Sequence, residues 1–461
     1  MSRLMLQITL PIVVLVNLTG YMVNPTLGFA TTMVTVLFVF VRARGSQFEK
    51  LLTLLIMTMP LYGLPMFSGI HHAFSWTTLL LLALSVYAAA HMQRVAPAVC
   101  VPLVVIAALT VATHIFNGSG TEGIYYIAQV LLFVLPASIV YLSRDWIVTV
   151  VGSHAIPRLL NTLAATLMAC GLGVFLQVIV HRTTEVTIGS VSCFANRISY
   201  DLTLNAFSVL SVILAIGFVI VPVLIRRGSW LQGLALAAVS GGAILLNTSR
   251  SGLFVGLLVL LVSLLFPAGG GKQMLLRLVF FPAAIFAYWL YALYSGSGRG
   301  VQDFFDDNGR FETFAHALTT LATNPITLFF GAGYNSSAYA AMSPHNFLIE
   351  SLLRSGLIVF LAVFILIAGL LRYLWRTEWQ YPVWVLLAGG MLFAGFYAVK
   401  AAVVVAIVML VLRAADSARL QGTRHALAPV RPSGDHLNRR LGRSTGTSIS
   451  SLPTVDPAAE A

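Results

Sequence analysis

The fold class this sequence predicts is all-α: a polytopic transmembrane helix bundle of about 12–14 spans with one long extracytoplasmic loop. Three observations predict it. Hydrophobic types make up 58% of the 461 residues and charged residues only 9%, whereas soluble domains carry roughly 25% charged residues. So few charges cannot coat a soluble protein of this length, and a disordered chain would be poor in apolar residues rather than rich in them. The apolar residues also fall into runs close to the roughly 20 that a helix needs to cross hydrocarbon. Finally, the cations sort by side of the membrane.

Taken in order, candidate spans lie at 4–23, 25–41, 51–69, 76–92, 98–115, 123–142, 159–180, 203–225, 229–246, 251–266, 274–294 and 346–371. The block from Tyr381 to Leu412 is too long for one untilted crossing and Lys400 interrupts it, so it divides into 382–397 and 400–413. The stretch Met1–Pro25 has Arg3 and then an apolar run, as a signal peptide does. No small-residue cleavage site closes it and a second apolar run follows at once, so it reads as a first membrane helix.

With the N-terminus inside, the cytoplasmic face receives Arg3, Arg42, Arg44, Lys50, Arg94, Arg144, Arg158, Arg226, Arg227, Lys272, Arg277, Arg372, Arg376 and the arginines from Arg413 onward. The opposite face receives Arg182, Arg197, Arg250, Arg299, Arg310, Arg354 and Lys400. The split is 20 to 7, and it accounts for the net charge of +12 without a nucleic-acid partner. The three cysteines, Cys100, Cys170 and Cys193, form no CxxC pair, so neither a disulfide framework nor a thiolate zinc site is indicated.

Two segments depart from the short-loop pattern. Residues 414–461 are rich in Arg, Ser, Pro and Gly without an apolar period, and read as a disordered cytoplasmic tail beyond a bundle of residues 1–413. Residues 295–345 form the longest internal polar segment and map outside. Within it Phe311, Phe314, Ala315, Leu318 and Leu321 recur at helical spacing, between Asn308-Gly309 and Asn324-Pro325. This predicts an amphipathic helix over 308–323 lying on the outer membrane surface or on the bundle, with a Phe311/Phe314/Leu318 face.

The outer cations are the first place to look for chemistry, because the topology rule disfavours them there. Arg250 sits in Asn247-Thr248-Ser249-Arg250-Ser251-Gly252, a polar break between two spans. Arg310 opens the loop helix. His345 follows Ser343-Pro344 and starts a span, in which Glu350 and Arg354 stand four apart on one helix face. Each also has a plain structural reading. Arg250 could snorkel to helix-end carbonyls, His345 could be an interfacial cap, and Glu350–Arg354 could be a local pair. His71, His72 and His316 lack any HExxH-type spacing and read as interfacial. Gly269-Gly270-Gly271-Lys272 lacks the spaced upstream glycine of a phosphate loop, which argues against an ATP-driven pump.

The order of these features carries more than any one of them. A Ser249-Arg250-Ser251-Gly252 break precedes a long outer loop with Gly309-Arg310-Phe311. Asn324-Pro325 follows, leading to Phe330-Gly331-Ala332-Gly333, and then His345-Asn346-Phe347-Leu348-Ile349-Glu350 with Arg354-Ser355-Gly356. Over about residues 190–370 this resembles the O-antigen ligase and O-antigen polymerase family of bacterial inner-membrane proteins. Cys193-Phe194-Ala195-Asn196-Arg197 is similar to the family's Phe-x-Asn element, with Arg197 where Asn is common.

The resemblance implies transfer of a glycan from an undecaprenyl diphosphate carrier to an acceptor hydroxyl at the extracytoplasmic face. The acceptor would be a second glycan or lipid A-core. No metal, nucleotide or other cofactor is implied. By position, Arg250 and Arg310 match the residues that hold the diphosphate, for which guanidinium forks are suited. His345 matches the base that takes the acceptor proton. Arg197, Arg354 and Glu350 are secondary candidates. A rival from another class is a multi-span secondary transporter or flippase of a polysaccharide precursor. Such proteins keep polar sites at mid-membrane on broken helices, whereas polar residues here gather in outer loops. A third reading is a structural subunit of a secretion complex.

Overall fold

The computed structural model describes residues 3–43, 45–66, 74–92, 95–117, 120–152, 154–181, 207–246, 250–265, 310–333, 346–390 and 400–427. Among these residues every regular element is a helix. Contacts divide the chain into two units, Met1–Arg419 and Leu420–Ala461. The bundle below belongs to the first; of the second, residues 420–427 are helical.

The helices are α1 (Arg3–Val23), α2 (Pro25–Arg42), α3 (Gln47–Thr58), α4 (Trp76–Ala89), α5 (Pro97–Asn117), α6 (Gly120–Leu142), α7 (Arg144–Val150), α8 (Ala155–His181), α9 (Phe207–Arg226), α10 (Trp230–Leu246), α11 (Arg250–Leu265), α12 (Arg310–Thr323), α13 (Pro325–Phe330), α14 (Phe347–Leu374), α15 (Gln380–Gly390) and α16 (Lys400–Leu427). Five of them are long and apolar enough to cross a membrane: α2, α5, α8, α9 and α14. The α6–α7 pair, bent by 65°, makes a sixth if counted as one span. Shorter apolar helices lie at Thr9–Tyr21, Trp76–Ala89, Trp230–Leu246 and Phe254–Ser263. The expected span 274–294 lies outside the described residues.

The chain is built as a membrane protein, and its outer surface shows how. On α2, Val34, Leu37, Phe38 and Val41 form an exposed i, i+3, i+4, i+7 stripe, and on α14 Ile358, Leu361, Phe364 and Ile365 form an exposed one at i, i+3, i+6, i+7. Apolar stripes of this size facing water would be an aggregation surface; facing lipid they are at home. The inner helices contrast with these. About 83% of the apolar window of α9 and 78% of that of α8 are buried, against 22% for α2 and α14. Small residues let the inner helices close up. A Cβ on Gly252 of α11 would lie 2.4 Å from the Ser211 carbonyl oxygen of α9, and one on Gly171 of α8 would lie 2.5 Å from Val239 of α10.

Local sequence explains the ends. Asn24 caps α2 by accepting from the Thr26 amide at 2.7 Å, with Pro25 in the first helical position where its missing N–H costs nothing. Within the α1–α2 hairpin, Asn17 donates to the Thr35 hydroxyl at 3.2 Å.

Three features differ from the sequence expectation. The run 51–69 is not one span: α3 ends at Thr58 in a 3₁₀ turn over Met59–Leu61. Pro60 lacks a donor and Gly63 and Pro65 follow, so the helix cannot continue. The freed Thr58 carbonyl is taken by the Thr77 hydroxyl of α4. Second, α14 is broken at Gly356, with φ 75° and ψ 170°, so the span 346–371 is two helical halves. Third, α16 runs past 413 to Leu427, with Ala414 and Ala415 buried, so the expected tail begins inside a helix. Residues 428–461 lie outside the described residues.

Candidate functional site

Two of the polar stretches singled out in the sequence meet in the structure. Asn324 caps α13 by accepting from the Thr327 amide at 3.2 Å, and Pro325 stands in its first turn. The short helix ends at Gly331, whose φ of +79° is open to glycine without strain. The chain then lies against the break in α14. The Ala332 amide donates to the Leu353 carbonyl at 3.0 Å, and the Gly333 amide donates to the Arg354 carbonyl at 3.1 Å. A helix that breaks inside a bundle leaves carbonyls without partners; here the Gly-Ala-Gly turn supplies the donors. Thr113 of α5 fixes the turn from the other side, its hydroxyl donating to the Phe330 carbonyl at 2.9 Å.

The first half of α14, residues 347–355, is thereby held at both ends. At its start, Asn346 accepts from the Leu348 and Ile349 amides at 3.0 and 3.2 Å. Along it, Arg354 Nη2 lies 2.8 Å from Glu350 Oε1. Glu350 is buried and the Arg354 side chain is 22% exposed. A buried carboxylate on the same face orients the guanidinium and leaves part of its fork accessible.

The loop helix α12 packs on this half-helix through Ala317 and Leu321, which meet Leu353, Ile349 and Leu352. The sequence predicts the Phe311/Phe314/Leu318 face on the membrane surface or on the bundle; Leu318 is 53% exposed and does not pack on the bundle, because helical geometry turns 317 and 321 toward the half-helix and puts 318 about 100° round from 317. The side chains of Phe311 and Phe314 lie outside the described residues.

Of the candidate residues, Glu350 and Arg354 are thus brought together. Arg250 begins α11 and Arg310 begins α12, but their side chains lie outside the described part. His345 and Arg197 lie outside the described residues, His345 being the residue before the Asn346 cap. Among the described residues, no three His, Cys, Asp or Glu side chains gather as a metal site.

Sequence reasoning passed over two buried charge clusters. Glu49 of α3 lies 2.9 Å from Arg158 Nη1 and 3.5 Å from His154 Nε2, at the start of α8. Glu378 pairs with Arg226 and, at 3.1 Å, with Arg227; Asp416 lies 3.5 Å from Arg227 and accepts from the Trp379 indole at 3.2 Å. The available signal was a lone carboxylate in a chain with so few charges. The second cluster, with Arg144 over Tyr141 and Arg413 near Tyr373, joins the α6–α7 junction and the ends of α9 and α14 to the middle of α16.

No family model and no curated protein matches this chain. Its function is therefore read from its residues and their geometry.

Proposed function

We propose that this chain transfers a glycan from an undecaprenyl diphosphate carrier to an acceptor hydroxyl at the outer face of a bacterial inner membrane, in O-antigen or exopolysaccharide polymerisation or ligation. The observation that carries the reading is the docking of the Phe330-Gly331-Ala332-Gly333 turn on the broken helix at Leu353–Gly356. Two polar stretches whose order resembles the ligase and polymerase family are joined there by backbone hydrogen bonds.

In this reading the acceptor oxygen attacks the anomeric carbon while the bond from that carbon to the diphosphate oxygen breaks. The acceptor proton passes to His345, and the negative charge that grows on the leaving diphosphate is met by Arg250 and Arg310. Arg354, oriented by Glu350, and Arg197 supply further contacts to the sugar or diphosphate. The reaction asks for no metal and no nucleotide. The 12–14 crossings, with the loop 295–345 outside and the tail inside, belong to the same proposal. The meeting of Arg144, Arg226, Arg227 and Arg413 at one end of the bundle supports that topology.

A transporter or flippase is less well supported. Broken helices in transporters leave backbone carbonyls free to coordinate ions, whereas the Leu353 and Arg354 carbonyls are taken by Ala332 and Gly333.

The test uses the purified full chain in detergent or nanodiscs with a carrier-linked oligosaccharide. The acceptor is either a second carrier-linked unit or lipid A-core, and product is separated by mass. Arg250→Lys and Arg310→Lys keep charge but lose the bidentate fork, so both should lower transfer and carrier binding. His345→Ala should lose transfer by at least about 100-fold and keep carrier binding. Full transfer by His345→Ala would remove it as the base, and no transfer by the wild type to either acceptor would sink the reading.

A further inference from the structure

The end of α14 carries cations that the charge clusters do not neutralise. Arg226 and Arg227 are matched by Glu378 and Asp416, and Arg144 stands 3.9 Å from Asp145. Among the described residues, Arg372 and Arg376 make no ion pair with a carboxylate. Both are exposed.

Their position is specific. The lipid-facing stripe of α14 runs through Ile358, Leu361 and Ile365, and Arg372 stands seven residues beyond Ile365 on the same face, about 10 Å further along the axis. Trp375 follows and is 54% exposed. Arg376 has φ 60°, the one non-glycine residue with positive φ among those described. A residue without glycine's freedom is seldom held there unless its surroundings fix it. Here the Trp375 and Thr377 amides donate back to the Arg372 and Leu374 carbonyls, and the turn closes tightly around Arg376.

We propose that Arg372, Trp375 and Arg376 form a binding surface for the headgroup of an anionic phospholipid. The acyl chains lie along the Ile358–Ile365 stripe. The indole sits at headgroup depth, where tryptophan is enriched, and the two cationic side chains attract the phosphate by charge. A zwitterionic headgroup brings its own ammonium into this positive field and gains less. The surface depends only on the chain being embedded in a membrane, so it stands or falls apart from glycan transfer.

The experiment titrates the detergent-purified full chain with phosphatidylglycerol or phosphatidylcholine and counts bound lipid by native mass spectrometry. The wild type should retain phosphatidylglycerol preferentially, and salt should weaken the preference. Arg372→Gln with Arg376→Gln should lower phosphatidylglycerol affinity about 30-fold, about 5-fold per arginine, and leave phosphatidylcholine unchanged. Arg372→Lys with Arg376→Lys should keep most of the preference. Arg42→Gln, which removes an exposed cation outside this turn, should change nothing. A photoactivatable phosphatidylglycerol should label the segment 365–379 of the wild type, which decides the matter even if the double glutamine variant fails to fold. Equal retention of the two lipids, labelling elsewhere, or undiminished affinity in a folded double glutamine variant would overturn the proposal. So would displacement of the lipid by soluble glycerol phosphate at equal concentration, which would mark a phosphate site rather than a lipid surface.

Discussion

Gly331 and Gly356 meet backbone to backbone. A Cβ on Gly356 would lie 2.4 Å from the Gly331 nitrogen, and one on Gly331 would lie 2.7 Å from the Gly356 nitrogen and 2.3 Å from the Arg354 carbonyl oxygen. Both have φ near the left-handed region, +79° and +75°. This contact lets the Ala332 and Gly333 amides reach the carbonyls that the break in α14 releases.

Gly356→Ala should therefore destabilise the protein by roughly 2–5 kcal/mol, combining backbone strain with a clash against main chain that cannot move aside. Gly369→Ala, on the same helix with nothing within 4 Å of the added Cβ, is the matched control. It should be neutral or slightly stabilising. Thermal unfolding in detergent reads both, and equal melting temperatures would contradict the close contact.

Glu49→Gln should cost roughly 1–3 kcal/mol. The carboxylate is 2% exposed, while Arg158 is 30% exposed and keeps some hydration when its partner is lost. Combining it with Arg158→Gln should cost less than the sum of the single changes. Strict additivity in denaturant unfolding would show that the pair contributes nothing to stability.

Glu378 and Asp416 share Arg227 but not burial; Glu378 is 5% exposed and Asp416 25%. Glu378→Gln should then be the more damaging change, by roughly 1–2 kcal/mol, because it leaves two arginines without their buried partner. A ranking in the other direction would place the weight of the cluster on the Trp379–Asp416 hydrogen bond instead.

The side assignment is checked by labelling intact cells in a cysteine-free background. Gln47→Cys is the inner probe, since Gln47 is exposed whereas its neighbour Ser46 caps α3 by accepting from the Glu49 amide. It should resist an impermeant thiol reagent, and Ser297→Cys should react. The reverse pattern would put the loop, and with it His345 and Arg310, on the wrong side for a carrier-linked donor displayed outside.

The sequence by itself determined that the chain is helical and apolar enough for a membrane, and where several helices begin. Asn24-Pro25 and Asn324-Pro325 cap their helices as their chemistry dictates, since each asparagine accepts an amide of the first turn and each proline needs no partner. Only the tertiary structure decided which helices are inside. α9 and α2 are both apolar runs, yet one is largely buried and the other faces outward. When the surrounding solvent is itself apolar, hydropathy no longer separates core from surface, and shape and small residues such as Gly252 decide the packing. The break at Gly356 was equally hidden. A glycine in an apolar helix is ordinary, and it becomes a break only because the Gly331–Gly333 turn, 23 or more residues earlier in the chain, arrives to take up the carbonyls it frees.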